Sequence, residues 1–359
     1  RWFRRQRSEH APDICGSARR PRFAIQLMAP LGLHYGSIIM KAILAAAGVL
    51  ASIAFGHTAF AQTKPTVPVI VKDMKSSFWQ IVLAGARNAG ADLGVDVVAL
   101  GAQSESDADG QIGMLEKAVA SKPAAIVIAP VEFAALGEPI DEAAKKIKII
   151  GLESTADSRA MTSLLATDDG NAGRIAADAL AAAITASYAD TEGDIAVISS
   201  MHGIDGFDRR VMGFKEALAA KYRALAIVAD EVADGDPTSV RNVMKDLIAT
   251  RADLRGVFVS DPVMAHAVAQ AISEKKSDDL INVVAMGSDD ELVGLLQDGV
   301  IAGLVVEDPF RMGYEGVRTA VAASRGEPVP AYIDTGATLV TKANLKSARS
   351  QELLRPRIQ

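Results

Sequence analysis

The sequence predicts an α/β protein built from two doubly wound parallel-sheet lobes. From residue 65 onward, short apolar runs alternate with helical stretches, which is typical of βαβ units and parallel sheets. Nine such runs are many for one open sheet, and this favours two lobes. The short apolar piece 163–165 precedes a polar stretch, 167–171, so we expect the chain to cross between lobes near 160–170.

The predicted elements follow one another in a regular order. The apolar runs, taken as strands, fall at 67–71, 95–100, 124–129, 147–152, 194–199, 225–229, 256–259, 281–286 and 301–306. The helical stretches fall near 78–93, 106–121, 134–146, 170–188, 207–220, 237–250, 262–275, 289–297 and 310–325. An acidic residue before proline predicts a capped helix start at Asp236, Asp261 and Asp308. Gly94 and Gly299 suit helix ends.

The first 61 residues differ in composition from the rest of the chain. Residues 1–39 hold seven arginines and no lysine, and they look like translated upstream sequence or a mis-assigned start. Residues 40–61 contain one lysine, a short apolar run and an A-x-A site, the pattern of a signal peptide cleaved near Ala61. The apolar run is shorter than the about 20 residues of a transmembrane helix. A buried N-terminal helix is the alternative interpretation.

The charge of the chain argues against nucleic acid as a partner. The formal net charge is −6, and residues 1–61 hold 8 basic and 2 acidic side chains, which leaves −12 on the remainder. An acidic surface repels phosphate backbones. A membrane anchor is not expected either, because Cys15 lacks the context of a lipidation site.

Residue types that carry catalysis or metals are scarce. Cys15, the only cysteine, lies in the N-terminal segment, and beyond it only His202 and His266 remain. Zinc sites and Cys/His catalysis are therefore poorly supported, and neither a metal nor a cofactor is expected. No G-x-G-x-x-G follows the first strand, and the chain has no P-loop and no G-x-S-x-G. An enzyme is not predicted.

The loop from Lys72 to Trp79 is the first candidate binding loop. It follows the first apolar run and ends in two adjacent aromatic residues, Phe78 and Trp79. In open α/β sheets, ligands bind beyond the carboxyl ends of the strands. Aromatic residues make up only 5% of the chain, so a pair of them at this position is a local enrichment.

An ordered series of short motifs resembles a known family. The motifs are Ser76-Ser77-Phe78-Trp79, Ile128-Ala129-Pro130, Leu152-Glu153-Ser154, Ala166-Thr167-Asp168-Asp169, Arg209-Arg210 before Gly213-Phe214, Phe258-Val259-Ser260-Asp261, Ala285-Met286-Gly287-Ser288-Asp289 and Gln297-Asp298-Gly299. Together they resemble periplasmic sugar-binding proteins of the ribose-binding, type I class, which serve ABC importers. The resemblance covers about 65–345.

The resemblance implies a fold, a partner and a mode of action. It implies one lobe from 65–167 plus 308–334 and a second from 168–307 plus 335–345, joined by a three-segment hinge. The ligand would lie between lobes that close over it. The implied partner is an ABC permease, and a chemoreceptor is a further partner that the sequence does not separate from it. The protein is expected to be a monomer.

The resemblance also assigns ligand roles in the first loop. Phe78 and Trp79 match the aromatic pair that stacks on the sugar, and burial in the core is the alternative for both. Ser76 matches a position that is often asparagine in the family, and it contacts ligand or caps the following helix. Lys72 stands where the family has a small polar residue, and it contacts ligand or lies solvated at the rim.

Two further matches carry charge. Glu153 matches a family aspartate that is followed by arginine, but the next residue here is Ser154, so that arginine is missing. A carboxylate at Glu153 can accept two sugar hydroxyls. Arg210 matches the ligand-binding arginine, whose planar fork donates to two oxygens at once, whereas Arg209 is assigned to structure or surface.

The remaining matches depart from the family and point to a different ligand. Asp261 matches an asparagine and also precedes a proline, so it contacts ligand, caps a helix, or does both. Glu307 matches a glutamine near the hinge. Gly287 takes the place of the ligand aspartate, and Asp289 either replaces it or caps a helix. This surplus of carboxylates predicts a ligand other than ribose: a polyol, another pentose or hexose, or an amino sugar.

A regulator of the lac-repressor type shares the two-lobe core and is the alternative function. It requires an N-terminal helix-turn-helix, and the predicted signal peptide occupies that place. The sequence therefore favours a secreted binding protein that takes part in sugar transport.

Overall fold

The computed structural model describes residues 64–356, except 105, 202–204 and 278–279. The segment 1–39 and the predicted signal peptide 40–61 lie outside the described residues. Of the described helices, none combines the length and apolar character needed to cross a bilayer.

The described chain alternates strands with helices over almost its whole length. The strands are β1 Thr66–Val71, β2 Asp96–Gly101, β3 Ile126–Ile128, β4 Ile149–Leu152, β5 Ser163–Ala166, β6 Gly193–Ser199, β7 Leu225–Val232, β8 Leu254–Val259, β9 Asn282–Met286, β10 Gly303–Glu307, β11 Tyr332–Asp334 and β12 Ala337–Val340. The helices are α1 Ser77–Leu93, α2 Ala108–Ala120, α3 Gly137–Ala144, α4 Asp169–Tyr188, α5 Asp205–Lys221, α6 Pro237–Thr250, α7 Pro262–Glu274, α8 Asp290–Asp298, α9 Pro309–Ser324 and α10 Ala348–Leu354.

The strands form two separate sheets, each the centre of one lobe. The first sheet has the order β11–β5–β4–β3–β1–β2 and is parallel throughout. The second has the order β12–β10–β9–β8–β6–β7, and only its edge strand β12 runs antiparallel. Central strands such as β3 and β8 consist almost entirely of buried apolar residues, because helices cover both faces of each sheet. The predicted α/β class with two doubly wound parallel lobes is confirmed.

Within the described residues, the chain passes between the sheets at three places. It leaves the first sheet after β5, returns between β10 and α9, and leaves again between β11 and β12. Two of these passages touch each other: Thr167 Oγ1 and Thr335 Oγ1 are 3.5 Å apart, and Asp334 accepts a 3.0 Å hydrogen bond from the backbone N–H of Asp168.

Local signals in the sequence placed the helix ends correctly. Asp236, Asp261 and Asp308 cap α6, α7 and α9, and each accepts a backbone N–H of the first turn. Gly94 and Gly299 end α1 and α8 with φ of 68° and 93°. The sequence prediction lacked β11, β12 and α10, and it treated β5 only as an apolar piece near a crossing.

Glycines let the helices beside the hinge pack closely. A Cβ added to Gly85 of α1 would lie 2.0 Å from the carbonyl oxygen of Phe310 on α9. In the second lobe, a Cβ on Gly173 of α4 would lie 2.0 Å from the carbonyl oxygen of Arg210 on α5. Both distances are far below a van der Waals contact, so these backbones touch only because glycine has no side chain.

Candidate functional site

A cleft of about 540 Å³ lies where the strands of both sheets end. Residues that follow five different strands line it, namely Lys72 after β1, Glu153 after β4, Asp261 after β8, Gly287 after β9, and Glu307 at the end of β10. The other lining residues are Ser76, Ser77, Phe78, Trp79, Ile81, Phe207, Arg210, Pro262, Ser288, Asp289, Asp290, Val306, Pro309, Leu353 and Leu354. Its volume is within the range of small-molecule sites.

The two aromatic residues of the first loop occupy different environments. Trp79 is only 2% exposed and packs in the apolar core of the first lobe, although it also borders the cleft. Phe78 is half-buried and meets Trp79 edge to face, with ring centroids 4.9 Å apart. Phe78 is therefore the more accessible ring, and Trp79 packs against it.

An ion pair crosses the first-lobe wall beside these rings. Lys72 Nζ lies 2.5 Å from Glu153 Oε2 and 5.8 Å from the centre of the Trp79 ring. Glu153 has a φ of 60°, a left-handed conformation that is unusual for a residue with a side chain. Such backbone strain persists where the surrounding structure imposes it, often at a binding site.

The two serines of the predicted site differ in placement. Ser76 stands at the N-cap of α1, but its hydroxyl makes no capping hydrogen bond, and it lines the cleft. Asp73 instead accepts the backbone N–H of Ser76 at 2.8 Å. Ser154 donates its hydroxyl to the carbonyl oxygen of Pro130 at 2.8 Å. Of the two hydroxyls, that of Ser76 is the better placed for a ligand.

Arg210 is the centre of the second-lobe wall. It lies on α5, and its guanidinium carbon is 5.6 Å from the centre of the Phe207 ring. Arg210 Nε donates to Asp169 at 2.7 Å and Nη2 donates to Glu307 at 3.0 Å. Nη1 reaches the carbonyl oxygen of Ser260 at 3.3 Å. A buried charge held on three sides in this way keeps one orientation.

The charges of this cluster alter one another. Burial raises the pKa of Asp169 to about 6, against the attraction of Arg210, and the nearby Glu307 raises it further. Burial alone would lower the pKa of Arg210, but Glu307 and Asp169 outweigh it and the pKa is raised. Arg210 therefore stays charged, whereas the pKa of Asp169 lies well above its ordinary value.

Asp261 and Asp289 both act as helix caps. Asp261 accepts the backbone N–H of Met264 at 3.0 Å and the Ser260 hydroxyl at 3.3 Å, and burial raises the pKa of Asp261. Asp289 caps α8 through Leu292 and also lies 2.7 Å from Nε2 of His266. Both carboxylates border the cleft, so capping does not remove either from the candidate site.

Several cleft residues were not predicted from the sequence. Phe207 precedes Arg210 by three positions on α5, a helical spacing that could have indicated a shared face. Asp169, which contacts Arg210 but does not itself line the cleft, was recognised as part of a motif and given no role. Leu353 and Leu354 belong to α10, beyond the residues that the resemblance covered.

Comparison with protein-family models shows one match over most of the described chain. Residues 67–328 match the periplasmic binding protein domain. Among curated proteins, the ribose import binding protein RbsB of Haemophilus influenzae is 26% identical over 298 residues, which cover 82% of this chain and 97% of that protein. The D-allose-binding periplasmic protein of Escherichia coli is 24% identical and covers 79% of this chain and 92% of that protein.

Solved structures include a much more similar relative. A carbohydrate transporter solute-binding protein from Agrobacterium radiobacter, solved in complex with D-arabinose, is 53% identical. The alignment covers 82% of this chain and 100% of that one, with a TM-score of 0.71. An ABC transporter solute-binding protein from Agrobacterium vitis, bound with alpha-D-tagatopyranose, is 26% identical and covers 81% and 99%, with a TM-score of 0.69.

Proposed function

The chain belongs to the periplasmic binding protein family, and from this premise we propose that it captures an aldopentose such as D-arabinose for an ABC importer. The 53% identity to a protein solved with D-arabinose supports this sugar over ribose. The predicted departure from a ribose ligand agrees with it. The proposed action is binding and release, without catalysis.

The proposal rests mainly on one observation: an aromatic wall and a charged wall face the same cleft. Phe78 and Trp79 border it from the first lobe, and Arg210 with its carboxylates borders it from the second. A sugar ring has apolar C–H faces and polar hydroxyl edges. The aromatic wall therefore suits the ring face, and the wall around Arg210 suits the hydroxyl edge. Convergent polar groups beside aromatic rings are typical of small-ligand sites.

Closure of the lobes would complete the site. The passages between lobes are only one or two residues long, and Glu307 lies next to one of them. Closure is favoured only if the ligand makes contacts in the closed state that it lacks in the open one. A sugar held by Phe78 on one side and Arg210 on the other provides such contacts. The permease would then recognise the closed form.

The proposed location is the periplasm, reached through a signal peptide cleaved near Ala61. The similarity to periplasmic import proteins supports it. We propose that the mature protein acts as a monomer without a membrane anchor, with the permease as its partner and a chemoreceptor as the second candidate partner. The described residues contain no group of His, Cys, Asp or Glu arranged to hold a metal ion.

Isothermal titration against a panel of sugars tests the ligand. We expect D-arabinose to bind more tightly than D-ribose, D-allose, D-tagatose or D-fucose. A thermal-shift assay gives an independent readout, because a ligand at a hundredfold excess over its Kd stabilises the fold by about 2.7 kcal/mol. If no sugar of the panel produces heat or a shift, the proposed function is wrong.

An amino sugar is the second candidate, and Asp261 is the observation that favours it. Glu153, Asp169 and Glu307 each pair with Lys72 or Arg210, whereas the hydrogen bonds given above for Asp261 come from a backbone N–H and a hydroxyl. An ammonium group could pair with this carboxylate. Titration of an amino sugar beside its neutral parent decides the matter, and tighter binding of the neutral parent contradicts this candidate.

A further inference from the structure

We propose that Asp169 is a positioning residue for sugar binding: its ionised carboxylate holds the Arg210 guanidinium in the orientation that the sugar requires. This inference rests on the proposed function, since it assigns Arg210 to the sugar. Asp169 was not among the predicted ligand-binding residues. Its carboxylate contacts Nε of Arg210 and does not line the cleft.

The hydrogen bonds of Arg210 leave a defined set of donors for a ligand. A guanidinium has five N–H groups, one on Nε and two on each terminal nitrogen. Asp169 takes the Nε–H, Glu307 takes one from Nη2, and the Ser260 carbonyl oxygen takes one from Nη1. One N–H on each terminal nitrogen remains. Each of these two donors can bind a sugar oxygen.

The fold keeps Asp169 close to Arg210. Asp168 caps α4 by accepting the backbone N–H of Asn171 at 2.8 Å, so Asp169 is not used for capping. Helix α4 then runs against α5 with glycines at the contact, and a Cβ on Gly213 would lie 2.0 Å from the carbonyl oxygen of Gly170. Backbones in direct contact cannot slide apart without loss of packing, so the distance from Asp169 to Arg210 is set by the scaffold.

Protonation of Asp169 would weaken this hold. The charged and titratable groups that act on Asp169 come from several elements: Arg210 on α5, Glu307 on β10, Glu153 after β4, and Tyr332 on β11. Tyr332 in turn faces Asp334, Asp168 and Arg209. Burial raises the pKa of Tyr332 to about 12, which is outside the pH range in question. The pKa of Asp169 is about 6, so this carboxyl changes charge between pH 7.5 and pH 5.

Titration of D-arabinose at two pH values tests the inference on the mature protein. At pH 5 about one tenth of a group with this pKa is ionised, so the wild-type affinity should fall about tenfold from its value at pH 7.5. Asp169→Asn should bind about tenfold or more weakly at pH 7.5, because a charge-assisted bond is lost, and its affinity should change less with pH than that of the wild type. The matched control is Asp168→Asn, which removes the same charge one residue away, retains a capping side chain and should keep the wild-type pH profile.

A ligand-free measurement separates positioning from a structural role. The ¹⁵Nε signal of Arg210 should shift between pH 7.5 and pH 5 in the wild type and stay fixed in Asp169→Asn. A sugar affinity of Asp169→Asn that equals the wild type at both pH values overturns the inference but leaves the proposed function intact. Failure of every panel sugar to bind the wild type overturns both.

Discussion

The two walls of the cleft differ in their aromatic rings and in their charges. The first-lobe wall carries two aromatic rings and one ion pair, Lys72 with Glu153, so its charges balance. The second-lobe wall carries one guanidinium, Arg210, which lies close to three carboxylates, Asp169, Asp261 and Glu307. Asp289 and Asp290 also line this side of the cleft. The first wall mainly provides shape, and the second provides most of the charge. We infer that the difference fits a ligand whose ring faces are apolar and whose edges are polar.

Below these walls, the two lobes resemble each other. Each has a helix pair beside the hinge that touches through glycine, α1 with α9 in the first lobe and α4 with α5 in the second. The helix packing beneath the cleft is therefore similar in the two lobes, whereas the side chains that line the cleft differ. This pairing supplies matched positions for testing which lobe carries the polar recognition.

The largest effect is expected for Arg210→Met. Removal of the guanidinium leaves Asp169 and Glu307 facing each other without a cation, and breaking a buried charge cluster destabilises a protein by about 3–5 kcal/mol. Sugar affinity should fall at least about a hundredfold, as two charge-assisted bonds are lost. Calorimetry and thermal melting measure both effects. Arg209→Met is the control for charge, and an equal loss in both variants would contradict the role of Arg210.

The aromatic wall should separate into a core residue and a contact residue. Trp79→Ala should lower the free energy of unfolding by about 3–5 kcal/mol, because the ring is buried in the first-lobe core. Phe78→Ala should fold with a smaller loss and bind sugar about tenfold more weakly. Chemical denaturation and titration distinguish them. If Trp79→Ala keeps its stability and only loses affinity, Trp79 belongs to the binding surface instead.

A matched pair of glycine variants compares the two scaffolds. Gly173→Ala and Gly85→Ala each force a Cβ toward a carbonyl oxygen 2.0 Å away, and each should destabilise its lobe by about 1–3 kcal/mol. Only Gly173→Ala displaces the backbone of Arg210 itself, so only this variant should also weaken sugar binding, by several-fold. Equal affinity losses at equal stability losses would show that the two lobes contribute alike.

The smallest effect is expected at the ion pair of the first lobe. Lys72→Met removes the cation from Glu153, whose side chain is 36% exposed, so solvent compensates and stability should change by no more than about 1 kcal/mol. The charge balance of that wall then becomes negative. The ratio of amino-sugar to neutral-sugar affinity should therefore rise several-fold, as titration of both sugars would show. An unchanged ratio would remove Lys72 from ligand selection.

Sequence patterns predicted the elements well where the cause is local. The Asp-Pro pairs and the glycines at positions 94 and 299 set helix ends through hydrogen bonds within a few residues. Strands β11 and β12 escaped prediction because they are short and mostly not fully buried, and their partners are distant in sequence. Their apolar pattern is therefore weak.

The candidate site was predicted by the family resemblance more than by local pattern. Nine of the ten proposed residues line the cleft, and Ser154 instead donates to a backbone carbonyl beside it. The ion pair of Lys72 with Glu153 was not predicted, because nothing in the spacing of two residues 81 positions apart reports a contact. Asp169 was missed for the same reason: its importance comes from Arg210, which lies 41 positions later.

Strand β11 has a consequence for the order in which the chain folds. It pairs with β5 in the first sheet, and Tyr332 donates its hydroxyl to the carbonyl oxygen of Ala166, 166 residues earlier. Contacts this distant form slowly, because a long loop must close first. While the second lobe is being synthesised, β5 is an open edge that other chains could pair with. The first lobe to emerge from the ribosome is therefore completed only after almost all of the second has been made.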